Sequence, residues 1–379
     1  MNVGIYELEH FESVYPLIRL YDERSNVIFL FVSPLVYNAL YPKLTDSSAD
    51  IKWVVKSDNQ RIRSFLFKIF FQSKKIKLDK IFLHTVSNNH IFFVFFILLW
   101  SDPKKIYITI HEVRDFLFPR LSFNPKKIIY YLGKRMLYFI SHHFVTISES
   151  THNFLKKTIR NNISTYWIPG GIFEEKFYHM PDNPSSCIRL VVPGSLDYNR
   201  RNYNDVFDFL LKAKEVNLPV EVYLLGGYLD KEGYSIIQKC QALSIDYPHL
   251  FFYDCEFISF DLFEEIMHKA HFIWAPSASY TMSINGVEEI YGISKVSGNI
   301  FDAIRYARPI IIPDTLNIDS FQHLSAFKYK NVNDIVSLLM DIVHEPNSYK
   351  IWVDKSLEVS GYYTIKNLRI RIFSENHHH

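Results

Sequence analysis

The stretch "GVEEIYGISKVSGNIFDAIRYARPIIIPD", residues 286–314, sets glycine, serine, lysine and paired glutamates between two apolar segments. Ile300, Phe301 and Ile304 recur at the spacing that gives a helix one buried face. Ser297 stands where that helix's N-cap belongs, and Pro309 follows its end. The next run, "RPIIIPD", has a continuous apolar centre instead of an alternating one, as expected of a parallel strand covered on both faces. "HFIWAPS", residues 271–277, is a second such run. Strand, helix and strand in this order predict a parallel sheet with crossover helices.

The same alternation extends through the chain. "NVGIYEL", "NVIFLFVS", "IKWVVK", "KIFLHT", "KIYITIH" and "HFVTIS" read as strands in the first half. "IRLVVPGS", "VEVYLLGG" and "LFFYDCE" do so in the second, while "RNYNDVFDFLLKAKEVN" and "FDLFEEIMHKA" have helical spacing. "FEEKFYHMPDNPSSC", with two prolines and no periodicity, reads as a linker near residues 174–187. Two doubly wound α/β domains are therefore expected, over residues 1–176 and 187–350, and 379 residues suit two cores of ordinary size.

Hydrophobic content of 48% and charge of 22% exclude a disordered chain. The net charge of +2 hides an asymmetry, because residues 1–180 carry 24 Lys and Arg against 15 Asp and Glu. A basic half joined to an acidic half implies different partners for each. Nucleic acid is a poor candidate, since no recognised binding motif accompanies the basic half. Cys187, Cys240 and Cys255 have no metal-ligand spacing and read as reduced, cytosolic thiols. "MNVGIYELEH" has no signal pattern, and His377 to His379 read as a tag remnant.

Two segments stand apart. "HIFFVFFILLW", residues 90–100, is intensely apolar but far short of the roughly 20 residues that span a membrane, so a buried helix is expected. Residues 52–80 carry nine basic and two acidic residues with Phe65, Phe67, Ile69, Phe70 and Phe71 interleaved. They read either as a solvated face over a core helix or as an interfacial helix drawn to anionic lipid head groups.

The chemistry gathers at strand ends. The first-turn N–H groups of the helix after Ser297 lack internal partners and carry the positive end of its dipole. Gly298 permits close approach there, and Lys295 adds a full charge, so this turn suits a phosphate. "VVPGSLDYNRRNYNDVFDFLL" places a Gly194-Ser195 turn after a strand, and then Arg200 and Arg201 before a helix. Two arginines at that position can clamp a diphosphate, since ligands of open α/β sheets sit at strand C-termini.

The order "PGSLDYNRRN", "VYLLGG", "FFYDCEF", "HFIWAPS", "EEIYGISKVSGNIFDAIRYARPIII" resembles the donor domain of GT-B nucleotide-sugar glycosyltransferases, especially the retaining group with a Glu-x7-Glu signature. "IYITIHEV", "HFVTISESTHNFL" and "WIPGGIFEEKF" resemble that group's acceptor domain, and the likeness covers most of residues 105–313. It implies two Rossmann-like domains facing a central cleft, with residues 351–376 crossing back to the first domain. It implies that Arg200 or Arg201 holds the donor diphosphate, that Glu289 lies near the transferred sugar, and that Tyr291 and Gly292 meet the phosphates. The loop Asp254 to Phe257, with Glu256, corresponds to the one that lines the base. Seven residues separate Glu289 from Ser297, which stands in place of the second glutamate, as in some surface-polysaccharide transferases.

On the acceptor side, "YELEHFESVYPLIRL" offers Glu9, His10 and Glu12 at a strand-to-helix junction, where a carboxylate or imidazole can take a hydroxyl proton. His111 ends a strand and matches a histidine found near the transferred sugar, with Glu112 its competitor. The expected reaction is sugar transfer from a nucleoside diphosphate to a hydroxyl of a glycan or lipid-linked acceptor, at the inner face of the membrane. No Asp-x-Asp motif is evident, and neither a metal nor another cofactor is expected. The alternatives are a sugar-nucleotide epimerase of the same fold and a catalytically inactive partner that binds sugar nucleotide or membrane.

Overall fold

The computed structural model describes residues 1–374 other than Asn88, Ser101, Ser122 and Ser185. The end of the expected C-terminal segment, residues 375 and 376, and His377 to His379 lie outside the described residues. Seven strands form the first sheet: β1 (Asn2–Glu7), β2 (Val27–Val32), β3 (Asp50–Val55), β4 (Lys80–Leu83), β5 (Ile106–Thr109), β6 (His143–Thr146) and β7 (Ser164–Trp167). Their order is β3-β2-β1-β4-β5-β6-β7, and every pairing is parallel. The second sheet draws on β8 (Ile188–Pro193), β9 (Val220–Leu225), β10 (Leu250–Phe252) and β11 (Phe272–Trp274). A small hairpin of β12 (Tyr280–Met282) and β13 (Glu288–Ile290) follows, and β14 (Ile310–Pro313) and β15 (Ala326–Tyr329) complete the sheet. Its order is β10-β9-β8-β11-β14-β15, again all parallel.

Both sheets are doubly wound, because strand order reverses between β1 and β4 and between β8 and β11. Those two reversals open a crevice at the strand C-termini, where open α/β sheets hold ligands. The central strands are buried along nearly their whole length, as their unbroken apolar runs require, while the edge strands β3 and β7 are half-exposed.

Helix Gly298–Tyr306 forms where expected, but its apolar face is divided. Ile300 packs into the second unit, whereas Phe301 and Ile304 enter the core of the first, beside Ile168 and Ile172. The two units therefore share hydrophobic core. The C-terminal helix Ile365–Ser374 lies on the first unit, where Arg369 donates to the carbonyls of Leu20 (3.0 Å), Arg19 (2.9 Å) and Asp22 (2.7 Å). Those carbonyls end helix Phe11–Tyr21, and a guanidinium there complements the negative end of its dipole.

Two sequence expectations need correction. Residues 280–290, to which no strand was assigned, form the β12–β13 hairpin. Residues 52–80 do not form one element but finish β3, turn, and then build helix Ile62–Ile76. The apolar stretch after it is helix His90–Leu99, and among the described residues no helix is long and apolar enough to cross a membrane.

Candidate functional site

The acceptor-side loops are organised by Glu7, the last residue of β1. Its carboxylate is fully buried and accepts from the backbone N–H groups of Glu9 (2.6 Å) and His10 (2.9 Å) and from the Thr85 hydroxyl (2.6 Å). This fixes the turn that presents Glu9, His10 and Glu12, all exposed. Glu9 accepts from the Ser87 hydroxyl at 2.9 Å, while Glu12 faces the Asp302–Arg305 pair of helix 298–306.

Beside them lie three imidazoles. His84 follows β4 and His111 follows β5, their rings 5.2 Å apart, with His10 at 5.3 Å from His111. His84 bonds Ser13 (2.9 Å) through Nε2 and Thr109 (3.1 Å) through Nδ1. His111 Nε2 lies 3.0 Å from the His84 carbonyl, to which it can only donate. Its Nδ1 therefore carries the lone pair. Burial, reinforced by neighbouring His84 and His10, pushes the His111 pKa down to about 3 and keeps the ring neutral at pH 7. A neutral imidazole so fixed offers an acceptor to a hydroxyl and is a weak base. Among the described residues no His, Cys, Asp and Glu side chains are grouped to hold a metal ion.

Across the crevice, segment 288–295 meets helix Val113–Leu117 of the first unit. Lys295 pairs with Glu112 at 2.6 Å, and the Val113 N–H donates to the Ser294 carbonyl at 3.0 Å. Glu289, the residue expected near the transferred sugar, turns toward the first unit. It is fully buried, and its oxygens accept from the backbone N–H groups of Asp115 (2.7 Å) and Arg114 (3.4 Å). Burial raises its pKa to about 7, against the Ser294 and Asp115 hydrogen bonds. Arg114 also pairs with Glu288 at 3.2 Å, and Asn285 donates to Asp115 at 3.2 Å. Asp115 in turn holds buried Lys134 at 2.5 Å.

The donor-side loops show a division of labour between the two arginines. Arg200 is exposed and pairs with Asp197 at 3.1 Å. Arg201 is buried and turned inward, donating to the carbonyls of Pro193 (2.7 Å) and Ser195 (2.8 Å) and to Asn299 (3.3 Å). The two arginines thus differ, with Arg200 in solvent beside Asp197 and Arg201 bracing the loop. Gly194, at φ +95°, makes that brace possible, because a Cβ there would lie 2.3 Å from the Arg201 guanidinium. Gly292, at φ +75°, similarly lets the turn after Tyr291 pass the Asn317 carbonyl. Tyr291 is buried, and Lys295 stands 6.0 Å from its ring. Glu256 lies exposed in the loop after β10.

Ser297 occupies the N-cap position of helix 298–306 without capping it. Its hydroxyl donates instead to Asn299 at 3.3 Å and accepts from Ser277 at 3.4 Å. Among the described residues no side chain caps the first turn, and a Cβ on Gly298 would meet nothing within 4 Å. The Ile300 N–H turns back to the Ser297 carbonyl at 3.2 Å, and Gly298 stands exposed at the open end of the helix.

Sequence reasoning missed Glu7, His84 and Asn299. His84 carried a signal, since it ends its strand as His111 does. Glu7 and Asn299 carried none, because their roles depend on contacts with Thr85 and Arg201, distant in sequence.

No protein-family model and no curated protein matches the sequence. Solved structures resemble the fold over its whole length. Anabaena HepE in complex with UDP and glucose superposes with a TM-score of 0.68 at 11% identity, covering 100% of this chain and 99% of that one. Sucrose-phosphate synthase from Thermosynechococcus elongatus gives 0.61 at 10%, covering 100% and 98%. The UDP-GlcNAc 2-epimerase of Neisseria meningitidis, bound to UDP-GlcNAc, gives 0.56 at 12%, covering 100% of both. The architecture is GT-B: two Rossmann-like domains facing a central cleft.

Proposed function

We propose that the chain is a glycosyltransferase that moves a sugar from a nucleoside-diphosphate donor to a hydroxyl of a glycan or lipid-linked acceptor. The observation that carries this reading is the uncapped, open first turn of helix 298–306, flanked by Lys295 and by the 194–201 loop. An exposed helix N-terminus beside a lysine fits a diphosphate. Arg200 would close on it from the adjoining loop, and Glu256 lies on the loop assigned to the base. As the bond from the sugar C1 to the diphosphate breaks, negative charge grows on the departing oxygen. Fixed donors at that place supply what is commonly the largest catalytic term.

From the opposite domain, His111 would accept a hydrogen bond from a sugar hydroxyl through Nδ1. In a retaining reaction, the outcome favoured by the sequence resemblance, the acceptor proton passes to the departing phosphate as the new C1–O bond forms. An inverting reaction would require Glu9, Glu12, His10 or Glu112 to take that proton. Glu112 first has to leave Lys295, and an incoming diphosphate competes for the same ammonium.

A thermal-shift panel of sugar nucleotides, led by UDP-glucose, tests donor binding. Ligand at about 100 times its Kd should add about 2.7 kcal/mol of stability. Product analysis then separates transfer to an added acceptor from conversion of the donor alone, which would identify an epimerase. A panel with neither shift nor donor consumption would sink the reading.

A further inference from the structure

The first unit carries an apolar surface that its own core does not use. Helices Ile62–Ile76, His90–Leu99 and Pro125–Ile140 lie over one face of the first sheet and bury Phe65, Ile69, Phe93, Ile97 and Leu137 in a common cluster. They touch one another through Phe70 and Phe96, 6.0 Å between centroids, and through His90 and Tyr130, 4.4 Å. On the outer side, helix 125–140 exposes Ile129, Leu132, Met136 and Phe139, each at least 43% accessible. Their spacing of three, four and three residues is a single stripe along the helix, facing solvent. Phe95 and Leu98 on the neighbouring helix, and Phe67 and Phe71 on the next, widen it.

The stripe does not end at the domain boundary. Phe118, just past helix 113–117, is exposed, as are Met282 (54%) and Ile284 (91%) on the β12–β13 hairpin of the second unit. The hairpin turn lies against the same region, since a Cβ on Gly286 would sit 4.0 Å from the Arg120 guanidinium. The two segments that carry Glu112 and Glu289 therefore also form one edge of this apolar face.

Charge identifies what covers it. Residues 60–140 hold fifteen Lys and Arg against four Asp and Glu, and of those four Asp115 is buried on Lys134 while Glu112 is paired with Lys295. Lys126 and Lys127 open the striped helix, and Lys74 and Lys75 close helix 62–76. Two copies meeting through such a face would oppose their own cations. An apolar centre set among cations matches lipid chains beneath anionic head groups.

We propose that this three-helix face docks the protein peripherally on an anionic lipid bilayer, with the 118–121 segment and the 280–290 hairpin setting the mouth of the cleft at the membrane surface. The docking stands on its own. Its consequence, that the acceptor hydroxyl is borne by a membrane lipid, rests on the transferase reading.

Flotation of the full chain with vesicles, without donor or turnover, tests docking separately from catalysis. Vesicles of phosphatidylcholine alone are compared with an equal mixture of phosphatidylcholine and phosphatidylglycerol. Binding is expected only to the acidic vesicles and should be released as salt shortens the Debye length from about 10 Å at 0.1 M to about 3 Å at 1 M. Lys126→Glu with Lys127→Glu, and separately Leu98→Asp with Ile129→Asp, should each lower partitioning at least about tenfold. All four residues are on the surface, and unchanged circular dichroism and Tm establish that the variants fold. Equal binding to neutral vesicles, no binding, or binding that survives both variants would overturn the proposal. So would a solution dimer that Leu98→Asp with Ile129→Asp dissociates, or capture by a soluble polyanion such as heparin without vesicle binding.

Discussion

Replacing Glu289 by glutamine should remove one component of the protein's pH dependence while preserving the shape of the contact. The carboxylate is sealed between β13 and helix 113–117, and its pKa is raised from 4.5 to about 7, chiefly by burial. Between those values the folded protein binds this proton and the unfolded chain does not. Stability from this group is therefore complete below about pH 4.5 and is lost as pH rises through 7. At 1.36 kcal/mol per pKa unit the loss is on the order of 3 kcal/mol. Glutamine accepts the same Asp115 N–H and has no proton to lose. Glu289→Gln should thus gain on the wild type progressively from pH 4.5 to 8, by about that amount. Buried His84, His90 and His111, whose pKa values are lowered, impose the opposite trend, with stability lost as pH falls below 6.5. They are common to both proteins and cancel in the difference. Urea midpoints followed by circular dichroism at unit steps of pH give that difference directly. A constant gap between variant and wild type across the range would refute the burial argument.

The remaining predictions concern the two sides of the cleft. Glu112→Gln frees Lys295 and removes a competing anion, so calorimetry should find UDP bound about fivefold tighter, the worth of a partly exposed ion pair near 1 kcal/mol. Arg200→Ala should weaken UDP by about 1.5–3 kcal/mol and uridine little, and equal losses would remove Arg200 from the phosphate site. Arg201→Ala should act on the fold instead, since it removes the buried charge-assisted hydrogen bonds to the Pro193 and Ser195 carbonyls, each worth about 1.5–3 kcal/mol, and a normal urea midpoint would contradict its bracing role. His111→Ala should slow transfer with UDP affinity unchanged. Because the ring stays neutral, wild-type rates should show no break near pH 6.5 that disappears in the variant.

Much of the architecture was written in local pattern. Short apolar runs bounded by prolines, such as the isoleucines of "RPIIIPD", read as strands covered on both faces, and their alternation with helical spacing points to parallel, doubly wound sheets. The "PGS" and "SKVSG" turns were legible because residues at strand ends and helix starts must reach the crevice of such sheets. The hairpin at 280–290 was not, since its strands are three residues each and too short for a period to register. What tertiary structure alone decided was the direction in which shared residue types point. Arg200 and Arg201 are neighbours with the same side chain, yet Gly194, Pro193 and Asn299 turn one inward and leave the other in solvent. Glu288 and Glu289 differ in the same way, because alternate residues of a strand face opposite sides: Glu289 is sealed on the backbone N–H groups of helix 113–117, while Glu288 stays exposed and meets the Arg114 side chain. A sequence specifies periodicity over a few residues, whereas the partner that claims a charged group comes from a segment far away in the chain. For Glu289 that partner is a helix N-terminus some 174 residues distant, and no local pattern could name it.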